Sequence, residues 1–211
     1  MAGKREALRN DLTRRLLEAA AMRMERYGLD GVNARDVTTD ARCGLGTIYK
    51  CYHDLDALIL HVNSRTLKRL DAALAAANRS TDTPAERLVC LALAYLDFAL
   101  QNVNIWSALF KHRLPADSPV PDWHVAEHRA LFQHVCRPLS EIDPELSDAA
   151  LMVRARSIFA AVHGIVALSI EGKFVGLERE VTRSEIEAVV RALVRGFEAG
   201  GASEAAVGRR P

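Results

Sequence analysis

The stretch RDVTTDARCGLGTIYKCY, residues 35–52, decides how the rest of the chain reads. It spells two short helices joined by a tight turn. The first covers 34–41, with Val37 and Ala41 four apart on one face, and Asn33 supplies an N-cap for it. Arg42-Cys43-Gly44 breaks the pattern, and a second helix covers 45–52. Ile48 and Tyr52 share one face of that helix, whereas Thr47 and Lys50 lie one side over. A helix-turn-helix of this size cannot bury its own apolar face, so it needs neighbours.

The flanking sequence supplies them. Residues 11–27 read as a helix with an apolar stripe at Leu12, Leu16, Ala20, Met24 and Tyr27. Arg14, Arg15, Arg23 and Arg26 fall off that stripe. Gly28 is a left-handed cap and Asp30-Gly31 a turn, so a three-helix head closes around the helix-turn-helix. Residues 1–10 carry Lys4, Arg5 and Arg9 without apolar periodicity. They read as a frayed, solvated start, or else as a basic arm beside the head. On the other side Asp54 caps a long helix over 55–78, whose apolar positions include Leu55, Leu58, Ile59, Val62, Leu67, Leu70 and Leu74.

The remainder continues in helices. Thr83-Pro84-Ala85-Glu86 is a capping box with Pro at the first helical position, opening a helix to about 101 that is apolar nearly all round. Residues 102–112 form a short helix with Trp106, Leu109 and Phe110, and the prolines of 114–121 make a loop. Helices follow over 122–141, which contains Pro138, and over 145–173. Thr182-Arg183-Ser184-Glu185 is a second capping box, opening a last helix to about 199. Gly200-Gly201 stops it and 202–211 is read as disordered. No alternating strand pattern and no internal repeat appears, so the expected class is all-α. The expected division is a head over 1–54, a body over 55–200 and a tail over 201–211.

Charge agrees with that division. The net charge of +1 hides a split between a positive first 79 residues and a negative remainder. That is the balance of a head facing phosphates and a body that does not. Hydrophobic content of 49% is ample for a core. Cys43, Cys51, Cys90 and Cys136 form no paired motif and read as reduced, intracellular thiols. The polar N-terminus reads as no signal peptide, and no apolar run stands out as a membrane span. The expected location is cytoplasmic.

The residues Tyr27-Gly28, Gly31-Val32-Asn33, Val37, Ala41, Gly46-Thr47-Ile48-Tyr49-Lys50-Cys51-Tyr52 and Leu58 together resemble the tetracycline-repressor (TetR) family of transcriptional regulators. The match covers about the first quarter of the chain. A run at Phe159-Ala160-Ala161-Val162-His163-Gly164 is similar to the His-Gly signature of one subgroup. The resemblance implies about nine helices, a homodimer joined through its last two helices, a double-stranded DNA operator and a small-molecule effector held in the body. Three positions depart from the family pattern. Arg42 stands where the family has Gly, and a left-handed non-glycine residue costs roughly 1–2 kcal/mol. Gly44 replaces the usual Ser or Thr cap, and Leu55 replaces a phosphate-contacting Lys.

Candidate site residues follow. For DNA they are Arg35, Arg42, Gly46, Thr47, Tyr49, Lys50 and Tyr52. Thr47 offers a hydroxyl and a methyl to a base edge, Lys50 a phosphate or guanine contact, and Tyr49 resembles the family's phosphate-contacting tyrosine. For an effector pocket they are Trp106, Phe110, Trp123, Phe132, Phe159 and His163, because such sites are apolar with few polar groups. His163 lies in an apolar run and needs a hydrogen-bond partner. For dimerisation through 149–172 and 183–200 they are Ile158, Ile165, Ile186, Val189, Val190, Leu193 and Phe197. His124 and His128 sit four apart, a metal-gripping spacing, but without a third ligand they read as a solvated pair. No nucleophile motif, phosphate loop or dinucleotide fingerprint appears, so neither catalysis nor a cofactor is expected. The alternative is an all-helical small-molecule-binding or adaptor protein whose head has lost DNA binding, motivated by Arg42 and Leu55.

Overall fold

The structure is a computed structural model that describes residues 2–78, 83–172 and 178–207. Among these residues every regular element is helical, as expected. The order is α1 (Ala2–Tyr27), a single 3-10 turn (Leu29–Gly31), α2 (Ala34–Asp40), α3 (Thr47–Cys51), α4 (Leu55–Ala77), α5 (Pro84–Gln101), α6 (Val103–Lys111), α7 (Asp122–Ile142), α8 (Asp148–Glu171) and α9 (Arg179–Val207). The chain divides into two compact units, one of Met1–Arg69 with Asn102–Glu127 and the other of Leu70–Gln101 with His128–Pro211. Helices α4 and α7 each contribute to both.

In the first unit α1 packs against α2, α3, α6 and the 3-10 turn. Leu16, Ala20 and Met24 of α1, Val37 of α2, Ile48 of α3 and Leu58 of α4 are fully buried in one core, with Ile105 and Ala108 of α6 joining it. Burial of each large aliphatic side chain contributes about 1.5–3 kcal/mol. The α1 stripe stops short of its expected end, because Tyr27 is 53% exposed. Its ring lies instead under the guanidinium groups of Arg23 and Arg26. Gly28 ends α1 with φ 73° but ψ −168°, a conformation open to glycine that is extended rather than the left-handed cap expected. Asn33 caps α2 by accepting from the Asp36 amide at 3.0 Å. Asp54 caps α4 by accepting from the Ala57 amide at 2.7 Å.

In the second unit α9 lies on α5 and α8. Leu88 and Leu96, Leu139, Val162 and Val166, Ile186 and Val190 are among its buried members. The α5 start behaves as a capping box, with Thr83 Oγ1 accepting from the Glu86 amide at 3.2 Å. Pro138 lies inside α7 without ending it.

Several element bounds differ from the sequence reading. Helix α1 begins at Ala2, so residues 2–10 continue the helix rather than fray from it. Helix α8 begins at Asp148 behind a Ser147 cap, and ends at Gly172 with φ 62°. Thr182 does not cap α9: the helix starts at Arg179, and Thr182 Oγ1 donates to the Glu178 carbonyl one turn back. A buried Thr is satisfied there by the Ser169 hydroxyl at 2.9 Å. Helix α9 also passes through Gly200-Gly201 to Val207. Two glycines cost about 1 kcal/mol each in a helix, and the alanines beyond them favour its continuation. The remaining expected tail, 208–211, lies outside the described residues.

Candidate nucleic-acid interface

Helix α3 is five residues long, with one side chain buried and its neighbours outward. Ile48 is 0% exposed and anchors it, while Tyr49 is 64% exposed and Lys50 is also exposed. Thr47 is half-buried at its first turn, and Gly46, exposed, is its N-cap. Arg35 of α2 is exposed as well. A hydroxyl, a phenol and an ammonium thus leave one short helix over a rigid base, donors suited to phosphate oxygens and base edges.

Tyr52 belongs elsewhere. It is 7% exposed and its hydroxyl donates to the Thr13 carbonyl of α1 at 3.1 Å. Burial pushes its phenol up to about 12. Its place in the core follows from the face it shares with Ile48, so it anchors the helix rather than faces a ligand.

Arg42 has φ 52°, the one non-glycine positive φ among the described residues. The turn predicted to be strained is therefore left-handed, and Arg42 keeps an exposed side chain. Two arginines of α1 hold α2, Arg23 along its length and Arg15 at its C-terminal end. Arg23 donates to the Gly31 carbonyl at 2.8 Å and pairs with Asp36 at 2.6 Å and Asp40 at 2.9 Å. Arg15 Nη2 donates to the carbonyls of Ala41 and of Arg42, the latter at 2.9 Å. Neither role is visible in sequence beyond the fact that both arginines flank the apolar stripe. Leu55, at the start of α4, packs half-buried on the core of this unit.

The six candidate pocket residues fall into clusters in different units. In the first unit Trp106 is buried at 4% and its ring meets that of Phe110 at 5.2 Å. Trp123 stacks on His61 at 4.9 Å and 14°. In the second unit Phe159 stacks on His163 at 5.3 Å and meets Phe132 edge-on at 5.5 Å. The partner that His163 requires is Tyr95, whose hydroxyl lies 2.8 Å from Nδ1. Burial lowers the His163 pKa and so favours the neutral ring.

The expected dimerisation set also divides. Ile158, Ile186 and Val190 are at most 4% exposed within the single chain, so they are core. A broad apolar helix face has a centre and two edges, and these three occupy the centre. Ile165, Val189, Leu193 and Phe197 are half-buried, and the Arg154 guanidinium lies 5.0 Å over the Phe197 ring. Val153 and Leu168 of α8 are 61% and 57% exposed. Helix α8 is long and apolar enough to cross a membrane by length and composition, with 22% of that window buried. The expectation that no apolar run stands out as a membrane span does not hold for this helix.

His124 is not solvated: it is buried, with Nδ1 3.5 Å from Glu127 Oε2. The other Glu127 oxygen accepts from the Ser64 hydroxyl at 2.6 Å and lies 3.5 Å from Lys68 Nζ. Among the described residues no group of three or more His, Cys, Asp or Glu side chains is placed to hold a metal.

Comparison with known proteins agrees with this architecture. No curated protein matches the chain. Solved structures do. A protein of unknown function from a Rhodococcus species is 24% identical, covers 88% of this chain and 94% of its own, and has a TM-score of 0.70. RolR in complex with resorcinol is 19% identical, with 98% and 97% coverage and a TM-score of 0.66. A TetR regulator from Streptomyces coelicolor is 15% identical, with 88% and 96% coverage and a TM-score of 0.62. At these identities the likeness is one of fold. The family model described as the tetracyclin repressor-like C-terminal domain matches residues 88–197, over half of the chain. With its helix-turn-helix ahead of that domain, this chain belongs to the tetracycline-repressor family of transcriptional regulators.

Proposed function

We propose that the protein is a homodimeric, ligand-responsive repressor that holds a near-palindromic operator until a small molecule releases it. The observation that carries this reading is α3. Its exposed Tyr49 and Lys50 and its outer Thr47 stand on a buried Ile48, in a head whose α2 is gripped by two arginines. Arg35, Arg42 and Gly46 border the same surface. Two such heads place α3 in successive major grooves, about 34–36 Å apart.

Helix α8 supports dimerisation. Val153 and Leu168 are exposed on a helix apolar enough to favour burial, and a second copy would cover them with the half-buried Ile165, Val189, Leu193 and Phe197. The Tyr95–His163 pair among Phe132 and Phe159 supports an effector site, because one polar handle in an aromatic surround is how small ligands are oriented. Release requires the effector to bind one head arrangement more tightly than the other. The functional division we infer is a DNA-reading head over 1–54 and an effector and dimer body over 55–200, acting in the cytoplasm, without catalysis.

The test is binding of the full chain to the DNA flanking its own coding region, titrated with salt. Specific binding that weakens linearly in log salt is the expected result. A folded dimer that binds no duplex at low salt would overturn the reading in favour of an adaptor with a degenerate head.

A further inference from the structure

The turn between α2 and α3 is built differently from one made of glycine. Arg42 sits at φ 52°, where a Cβ crowds the backbone. The carbonyls of Ala41 and Arg42 leave the end of α2, where a helix has acceptors without intrahelical partners and a partial negative charge. Both carbonyls accept from one atom, Arg15 Nη2, on α1. Asp11, one turn back on α1, lies 3.4 Å from Arg15 Nη1 and orients the guanidinium, while also pairing with Arg14 at 2.6 Å. The Arg15 side chain is two-thirds buried, so this contact is packed as well as charged.

We propose that Arg15 is a positioning residue for DNA recognition. Its guanidinium latches the left-handed Arg42 backbone to α1, and so sets the direction in which α3 leaves the turn. Cys43, the next residue, shows the local consequence: its amide donates to the Thr38 carbonyl at 2.9 Å, a helix-ending bond that exists only with Arg42 left-handed. The chain thus dispenses with a turn glycine by holding the strained residue from outside. Arg15 itself needs no contact with DNA. The inference rests on the operator-binding reading above for its functional half, and on the turn geometry alone for its structural half.

The experiment compares Arg15→Ala, Arg42→Gly and the double variant in the full chain, reading three quantities. The first is affinity for a duplex selected from random sequence by the wild-type protein. The second is the salt slope of that affinity, and the third is hydrogen exchange at the Arg42 and Cys43 amides. Arg15→Ala is expected to weaken duplex binding about tenfold, the scale of one strained residue, with the salt slope unchanged and faster exchange at both amides. In the Arg42→Gly background, Arg15→Ala should change neither the exchange nor the affinity relative to Arg42→Gly alone, because glycine holds the turn without a latch and any contact of the Arg42 side chain is absent from both proteins. A variant that failed to fold would be replaced by Arg15→Lys, which keeps a charge but has no second arm to hold Asp11 while donating to the two carbonyls. Unchanged exchange in Arg15→Ala would overturn the latch whether or not DNA binds. A loss of affinity on Arg15→Ala that persists in the Arg42→Gly background, or a salt slope lowered by about one unit, would overturn the positioning role in favour of direct phosphate contact. A wild-type protein that protects these amides and binds no duplex would overturn the regulator reading and, with it, the positioning role, while leaving the latch standing.

Discussion

Tyr52, the residue that closes α3, donates its hydroxyl to the backbone carbonyl of Thr13, 39 positions earlier in α1, at 3.1 Å. One part-buried hydrogen bond therefore ties the end of α3 to the helix beneath it. Replacing Tyr52 by Phe leaves the ring and removes this bond, at a cost of about 0.5–1.5 kcal/mol, since the Thr13 carbonyl keeps its place in the α1 ladder. The phenol also carries a pH signature. Its ordinary value of 10.0 is raised to about 12 by burial, so the unfolded chain loses its proton first. Stability from this group is complete below 10 and falls as pH rises towards 12. Urea midpoints measured at about pH 9 and pH 11 should converge in the Tyr52→Phe protein relative to wild type; equal slopes in both would refute the assignment.

Tyr49 and Lys50 present the opposite case, since both are exposed and packing does not require them. Lys50→Ala should leave the melting temperature within about 2 °C. A lysine on phosphate should lower the salt slope by about one unit, whereas one on a guanine edge should relax specificity at a single base pair. Tyr49→Phe should weaken binding with the fold intact. Fluorescence anisotropy at three salt concentrations separates these outcomes, and no change in either variant would remove α3 from the interface.

His163 predicts an acid sensitivity. Burial holds its pKa below the ordinary 6.5, so below that value the unfolded chain binds a proton that the folded chain resists. Stability therefore rises with pH through this window and is lost on acidification. His61, also depressed chiefly by burial, acts in the same direction. His163→Phe should flatten the dependence between about pH 5 and pH 7 without abolishing it. Thermal unfolding across that range is the measurement; an unchanged profile would exclude His163 as a contributor.

The two faces of the last helices should respond differently to mutation. Leu168→Glu, on the exposed side of α8, should yield a folded monomer by analytical ultracentrifugation. Ile186→Ala, fully buried, should instead cost about 2–5 kcal/mol while sparing association. A Leu168→Glu protein that remained a dimer would place the interface on another surface.

The sequence by itself determined the helices and their punctuation, because those signals act within one turn. The Asn33 and Asp54 caps, the Thr83 cap and the positive φ of Gly28 are local events involving neighbours three or four residues away. The buried members of 35–52 were legible for the same reason, since periodicity alone places Val37 and Ile48 inward. Tertiary structure decided what local rules leave free. Thr182 reads as a cap, yet Ser169 and the Asp97 pairs with Arg179 and Arg183 draw it into a helix interior. An apolar stripe on α9 does not say which of Ile186, Val189, Val190 and Leu193 is central, because that depends on where α5 and α8 press against it. Arg15 looks like a solvated base, and the Tyr52 hydroxyl shows no partner, until carbonyls 27 and 39 residues away come within 3.1 Å. Hydrogen-bond partners so distant in sequence leave no periodicity, and only the folded chain brings them together.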